Sequence, residues 1–388
     1  MKILRVITSM KPQTGGPCQG IRNAIPEQLK MGVQNEVVCL DNPDEDYGII
    51  DEFIIYKLGR PTNAWFYSKT LDFWLLDNLK RFDVVIIHGL WLYPSYGTIK
   101  IIQKYKIANA RVPKVYIMPH GMLDPYFQKA KGRTLKAIRN FWYWHILEHK
   151  VINKANGVLF TCEQELLLAR QNFSNYKPKK EINVGYGIQN PPELLSKNSE
   201  ELLTSLKGWD KKPYLLFLSR IHPKKGVDLL IKAYLKLELK YKTLPQLVVA
   251  GPGLDTEFGK AMLELASGSN NILFPGMLKG DIKWKAFNNA EVFILPSHQE
   301  NFGIAVAEAL ATSTPVLISD KVNIWREIEE GHGGFVNKDT LSDTYQLVRK
   351  WLDAPQTIKT EMTQNASNVF KHHFTIEKAA KKFISSIQ

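Results

Sequence analysis

Short continuous apolar runs alternate with stretches of helical spacing along the first 190 residues. The runs are Ile3–Ser9, Val37–Asp41, Val84–His88, Lys114–Met118, Gly157–Cys162 and Ile182–Gly185, punctuated by glycine, proline and asparagine. Apolar runs of this length suit strands buried on both faces, hence a parallel sheet. Tyr67–Lys80 and Thr134–Lys154 read as helices between them, so this half is a series of βαβ units. Residues 191–212 are polar and rich in Pro, Ser, Lys and Glu, and read as a linker leading into a helix and turn. The pattern then restarts, with strands at Tyr214–Ser219, Leu247–Ala250, Asn271–Phe274, Val292–Pro296, Pro315–Ser319 and Gly333–Val336 and helices at Gly226–Tyr241 and Gly303–Ala311. The fold class expected is α/β: two doubly wound, Rossmann-like domains over 1–190 and 191–370. Ligands on such sheets bind beyond the carboxyl ends of the strands. With two such domains the natural site is the cleft where they face each other.

Composition narrows the class. A chain of 388 residues makes two or three domains at roughly 150 residues each. Apolar residues at 44% and charged residues at 23% exclude disordered and fibrous classes. Cys18, Cys39 and Cys162 have no paired spacing, which excludes a disulfide framework or a zinc cluster and fits a reducing compartment. No segment reaches the ~20 apolar residues that cross a bilayer. Met1–Met10 is too short and too broken by charge for a signal peptide, so the expected location is cytoplasmic.

The net charge of +13 is uneven: residues 1–190 hold 26 Lys and Arg against 16 Asp and Glu. Within them, residues 100–154 hold 12 basic residues and two acidic ones, Asp124 and Glu148, interleaved with Phe127, Phe141, Trp142, Tyr143 and Trp144. Such a basic aromatic segment, 127–154, can bind anionic lipid headgroups, which would make the protein peripheral on the inner face of a membrane. The alternative is a solvated helix face with its aromatics turned into the core. No helix-turn-helix, zinc-finger or RNA-binding motif is visible, so nucleic acid is not an expected partner.

Candidate chemistry follows strand ends. Arg220 and Lys225 leave one strand together, and Gly226 opens the next helix. Two cations and a helix N-terminus suit a diphosphate; two ordinary surface cations would read the same way. Ala250-Gly-Pro-Gly253 can let a ligand approach the backbone at Gly251, or can be a plain strand-to-helix turn. Glu300 stands in a loop, and Glu308 in the apolar helix that Gly303 begins. A carboxylate inside an apolar helix is costly without partners. A ligand with hydroxyl donors, such as a ribose, would explain Glu308; so would a buried salt bridge, and Glu300 could be a helix cap. In the first half, Gly15-Gly16 can bring backbone N–H groups to a phosphate, or form a tight turn. His120, after a strand and before Gly121, can orient a reacting group, share a proton, or be a satisfied structural histidine. Thr161–Glu165 reads as a helix cap, and His88 more as packing than as a binding group. Asp44 and Asp46 form a DxD pair in a polar loop. It reads as solvated, with no metal required, because Lys and Arg can supply the charge at a diphosphate.

Arg220 and Lys225, then the glycine turn, then Glu300 and Glu308 with seven residues between them that include Phe302-Gly303, resemble the retaining glycosyltransferases of family GT4, which have the GT-B fold. The likeness covers nearly the whole chain, and Gly121–Pro125 with the basic helix after it is similar to a subgroup that builds bacterial surface polysaccharides. It implies that Arg220 and Lys225 bind the diphosphate of a UDP- or GDP-linked sugar, that Glu308 bonds the ribose, and that Glu300 with the amides of Phe302 and Gly303 holds the sugar hydroxyls. Gly15, Gly16 and Gly251 would border the donor, and His120 would contact its sugar. The sugar donor is then a substrate, no cofactor is needed, and the acceptor is a glycan or polyprenyl-linked glycan. Transfer would proceed with retention, the leaving phosphate acting as base. By the same resemblance, residues 371–388 would pack back on the first domain. The likeness also carries two other classes: a nucleotide-sugar epimerase, and a non-catalytic binding module of the same fold. Two departures from the family are Ala311–Pro315, which lacks the usual glycine before the proline, and Tyr186, where asparagine is common.

Overall fold

The computed structural model describes residues 1–130, 132–192, 205–206 and 208–388. Most of the expected linker, 193–204 and 207, and Lys131 of the basic segment lie outside the described residues. The chain divides into two compact units, Met1–Gly187 with Ile376–Gln388, and Ile188–Thr375. The crossings thus fall at 187 and 375, where the sequence suggested 190 and 370.

The first unit is built on seven parallel strands: β1 (Lys2–Val6), β2 (Gln34–Cys39), β3 (Ile54–Lys57), β4 (Val84–His88), β5 (Lys114–Met118), β6 (Gly157–Phe160) and β7 (Glu181–Asn183). Their order is β3-β2-β1-β4-β5-β6-β7. The second unit has six: β8 (Tyr214–Leu218), β9 (Gln246–Ala250), β10 (Ile272–Gly276), β11 (Val292–Leu295), β12 (Val316–Ser319) and β13 (Gly334–Asn337), ordered β10-β9-β8-β11-β12-β13. Both follow the doubly wound order, whose direction of winding reverses beside β1 and beside β8. The strand the sequence did not predict is β3. It sits at a sheet edge, exposed or partly exposed throughout, although Phe53–Tyr56 is itself a short apolar run.

Alternation along each strand sorts the first core into two layers. Leu4, Val6, Val85, Ile87, Val115 and Ile117 face one layer. Ile3, Val84, Ile86, Tyr116 and Met118 face the other, which the C-terminal helix Ile376–Ile387 covers with Phe383, Ile384 and Ile387. That helix therefore belongs to the first unit.

The basic aromatic segment forms a helix over Thr134–Tyr143, a π-turn over Trp144–Glu148 and a further helical stretch over His149–Lys154. Trp144 is the aromatic that turns into the core, where it stacks on Phe173. Leu135, Ile138, Phe141, Trp142 and Ile146 stay exposed, Leu135 at 84% and Trp142 at 61%. The expectation of aromatics packed inward therefore holds at Trp144 and fails at Phe141 and Trp142. No helix among the described residues is long and apolar enough to cross a membrane.

Candidate functional site

In the second unit, the loops after β8 and β11 lie side by side because those strands are neighbours. The turn Pro223–Lys225 is tied to the loop after β11 through one carbonyl: Lys224 O accepts the His298 N–H and the Ser297 hydroxyl. Gly226 closes the turn in the left-handed conformation, with φ 66°. A Cβ there would stand 2.0 Å from the Pro296 carbonyl oxygen, so glycine is what lets the two loops meet. Lys225, 8% exposed, is held in this seam and its ammonium pairs with Glu300. Burial, and then the charges of Lys224 and Arg220, push the Lys225 ammonium down to about 7. An anion beside it opposes that shift, and Glu300 supplies one. Arg220 is exposed and makes no hydrogen bond or ion pair among the described residues.

Glu300 is not a helix cap. The helix Ile304–Ala311 is capped by Gly303, with φ 83° and no side-chain hydrogen bond. The Glu300 backbone instead bridges to the segment after β12, its N–H donating to Lys321 O and its carbonyl accepting from Asn323 N–H. Phe302 is buried edge-on against Phe374, 5.5 Å between ring centres. Glu308, on the same apolar helix, is salt-bridged to Lys283 at 2.6 Å. Burial raises its carboxyl above the usual range, and Lys283 works against that. Of the two readings of Glu308, the salt bridge is present. Its partner was invisible in sequence, because Lys283 lies on another helix, Gly280–Asn289, 25 positions away. Gly251 has a packing reason: a Cβ on it would stand 1.8 Å from the Ser219 carbonyl oxygen. In the Ala311–Pro315 segment, which lacks that glycine, Ser313, two positions before the proline, takes a left-handed conformation with φ 61°.

In the first unit, a cavity of about 310 Å³ opens beyond the carboxyl ends of β1, β2, β4 and β5. Ser9, Lys11, Asp41, Arg60, His88 and His120 are among its walls. Gly15, with φ 95°, caps the helix that Gly16 begins, and neither has a neighbour within 4 Å of where a Cβ would stand. Two buried glutamates hold the loops that carry the histidines. Glu165 accepts the Gly121 N–H at 2.6 Å and both the N–H and hydroxyl of Thr161. Glu165 thus clamps the turn after β5, whereas the N-cap of its helix is Cys162, with no side-chain cap hydrogen bond. Glu148, fully buried, accepts the Trp91 N–H at 2.8 Å and the Ser95 hydroxyl at 3.0 Å, and so clamps the loop after β4. Burial pushes its carboxyl up to about 7. Nothing in the spacing singled out either clamp; a lone acid within an aromatic helix was the available signal for Glu148.

His120, φ 53°, is bonded through Nε2 to His88 Nδ1 at 2.9 Å. His88 Nε2 in turn meets the Arg5 guanidinium at 3.1 Å. Burial lowers both imidazoles, His120 to about 3, and the Arg5 charge adds to the effect. The Asp44–Asp46 loop is spent locally: Glu45 pairs with Lys11, and Asp46 accepts the Gly48 N–H.

Residues 199–369 match the family described as glycosyl transferases group 1. An uncharacterized glycosyltransferase of Methanocaldococcus jannaschii is 30% identical over 213 residues, 48% of this chain and 54% of that protein. The chain thus spans about half of that relative's length. Alpha-monoglucosyldiacylglycerol synthase of Streptococcus pneumoniae is 26% identical over 332 residues, 80% of this chain and 71% of that protein. Among solved structures, Anabaena HepE in complex with UDP and glucose has a TM-score of 0.73 at 16% identity, covering 100% of this chain and 99% of its own. Sucrose-phosphate synthase from Thermosynechococcus elongatus has a TM-score of 0.72 at 15% identity, with 99% and 98% covered. These two likenesses concern the fold alone. The second unit thus carries the match to glycosyl transferases group 1, and the chain as a whole is similar to GT4-like glycosyltransferases and has the GT-B fold.

Proposed function

We propose that the protein transfers a sugar, with retention and without a metal, from a UDP- or GDP-linked donor to a glycan acceptor in surface polysaccharide assembly. The observation that carries the reading is the seam after β8 and β11, where a buried lysine and an unpaired arginine share one strand end. Cleavage of a glycosyl–phosphate bond builds negative charge on the departing diphosphate. Arg220 and Lys225, set in advance, would stabilise that charge as it forms. A diphosphate beside Lys225 would compete with Glu300 for the ammonium and leave the carboxylate for sugar hydroxyls. Glu308 would take the ribose, exchanging part of its bond to Lys283. The UDP and glucose named in the HepE complex support a nucleotide-sugar donor.

The acceptor reading extends to a membrane. The exposed apolar face of Thr134–Tyr143 lies among Lys129, Arg133, Lys136 and Arg139, the composition that favours an anionic bilayer surface. The pneumococcal relative, by its name, makes a glycolipid, which is in keeping with an acceptor held at that surface.

The test is a thermal-shift screen against UDP, GDP, ADP and their sugar conjugates, repeated in Lys225→Ala. A ligand that binds the folded state alone raises the melting temperature. A shift with one nucleotide that is lost in the variant is the expected result. No shift with any of them, together with no transfer in a donor-consumption assay, would overturn the proposal.

A further inference from the structure

Arg5 is a charged residue inside an apolar strand, and the period of two explains where it goes. Ile3 and Arg5 share one face of β1, Val84, Ile86 and His88 share one face of β4, and Tyr116 and Met118 share one face of β5. His120 follows Met118 by two residues. The order β1-β4-β5 sets the three side chains next to one another on the face that the C-terminal helix covers. Arg5 is 2% exposed. Its three nitrogens are all used: Nε donates to Asn35 Oδ1 at 2.9 Å, Nη2 to Gln28 Oε1 at 3.0 Å, and Nη1 meets His88 Nε2 at 3.1 Å. Phe383 of the C-terminal helix lies against the guanidinium, 5.2 Å from its carbon to the ring centre. No carboxylate pairs with Arg5 among the described residues.

This chain of bonds has one consistent proton arrangement. A guanidinium has five N–H donors and no acceptor, so His88 Nε2 must accept. His88 then carries its proton on Nδ1 and donates it to His120 Nε2. His120 in turn carries its proton on Nδ1, which has no partner among the described residues, on a residue that lines the cavity. The structure assigns Arg5 and His88 as positioning residues that hold His120 as a neutral imidazole presenting Nδ1–H to an oxygen of the bound sugar. This rests on the sugar-transfer reading above, and it makes His120 a hydrogen-bond donor rather than a proton shuttle. The groups that bear on its charge are Arg5 from β1, His88 from β4 and Glu165, which holds the adjoining Gly121 N–H. Lys11, Asp41 and Arg60 face the same cavity; Lys11 is paired with Glu45, and Asp41 accepts from Met10 N–H and the Tyr47 hydroxyl. Burial, and then the Arg5 charge, disfavour an imidazolium at His120.

The test is nitrogen NMR of ¹⁵N-histidine-labelled full-length protein, with His120 and His88 identified by substitution. Both rings should read as neutral Nδ1–H tautomers from pH 5 to pH 8. Arg5→Met, and independently His88→Phe, should return His120 to a tautomer mixture, while Arg5→Lys, which keeps a donor for His88, should restore it. In transfer assays Arg5→Met should lower kcat/KM about tenfold, the scale of one neutral hydrogen bond, with Arg5→Lys recovering most of it. The pH profile of transfer should show no ionisation belonging to His120. An Nε2–H ring in the parent, a tautomer unmoved in both variants, or a tautomer that moves while transfer stays the same would each overturn the assignment. A parent that transfers nothing would instead strike the sugar-transfer reading, since the tautomers are read without substrate.

Discussion

Replacing Lys225 by methionine separates its role in binding from its role in folding. Holding the ammonium in the seam costs free energy: its pKa falls from 10.5 to about 7, and 3.5 units correspond to about 5 kcal/mol of disfavour for the charged form. Glu300 offsets part of that cost in the unliganded protein. A group whose folded pKa is lowered in this way destabilises the fold below pH 7, and the penalty fades as pH rises toward 10.5. Methionine keeps the buried stem and removes the charge, and Glu300, partly exposed, can turn to water. Lys225→Met should therefore melt at or above the parent temperature at pH 7, and that advantage should shrink as pH rises. Binding should go the other way. A charge-assisted hydrogen bond to a diphosphate contributes roughly 1.5–3 kcal/mol, or about 10- to 150-fold in Kd. A donor aimed at charge that develops in the transition state contributes about 2.7–4 kcal/mol, or 100- to 1,000-fold in kcat. The assay is titration of the parent and the variant with a nucleoside, its diphosphate and the sugar conjugate, alongside transfer rates. Nucleoside affinity should not change, diphosphate affinity should fall tenfold or more, and kcat should fall further. Equal loss for the bare nucleoside, or transfer within threefold of the parent, would refute the reasoning.

Three further outcomes are expected. Glu148, with its folded pKa raised from 4.5 to about 7, supplies stability below pH 4.5 that is lost as pH rises through 7, a span of about 3 kcal/mol; Glu148→Gln should gain on the parent in thermal unfolding between pH 4.5 and 7.5, and a constant difference across that range would count against a protonated carboxyl there. Gly251→Ala drives a Cβ into the Ser219 carbonyl and should cost about 3 kcal/mol or more, whereas Gly16→Ala meets nothing within 4 Å and should stay within about 1 kcal/mol of the parent. If the substrate passes close to Gly16, that second variant should lose transfer about tenfold through misplacement alone, and full activity would remove Gly16 from the site. Serine at both Leu135 and Trp142 should leave thermal stability unchanged, since both are exposed, and should reduce sedimentation with anionic vesicles; a parent protein that does not bind such vesicles would end the membrane reading.

The sequence by itself carried the two doubly wound sheets, because strands buried on both faces are written as continuous apolar runs, as β4, β8 and β11 are. The strand passed over, β3, carries the short apolar stretch Phe53–Tyr56, and its place at a sheet edge is set by strand order and not by composition. Sequence also located the seam after β8 and β11, since Arg220, Lys225, Glu300 and Glu308 stand at strand ends and in an apolar helix where polar residues call for a reason. Which partner each of them meets was decided by tertiary structure. Glu300 and Lys225 are 75 positions apart, Glu308 and Lys283 are 25 apart, and adjacency of parallel strands brings together residues that share no local spacing. The same holds for Arg5, His88 and His120, spread over more than a hundred residues and joined by the order β1-β4-β5. Alternation told which face each would take, but strand order is set by crossover connections and by the burial of whole layers. The protonation of His120 therefore depends on a residue at the other end of the sheet's path, a dependence that exists in the packed molecule and nowhere along the chain.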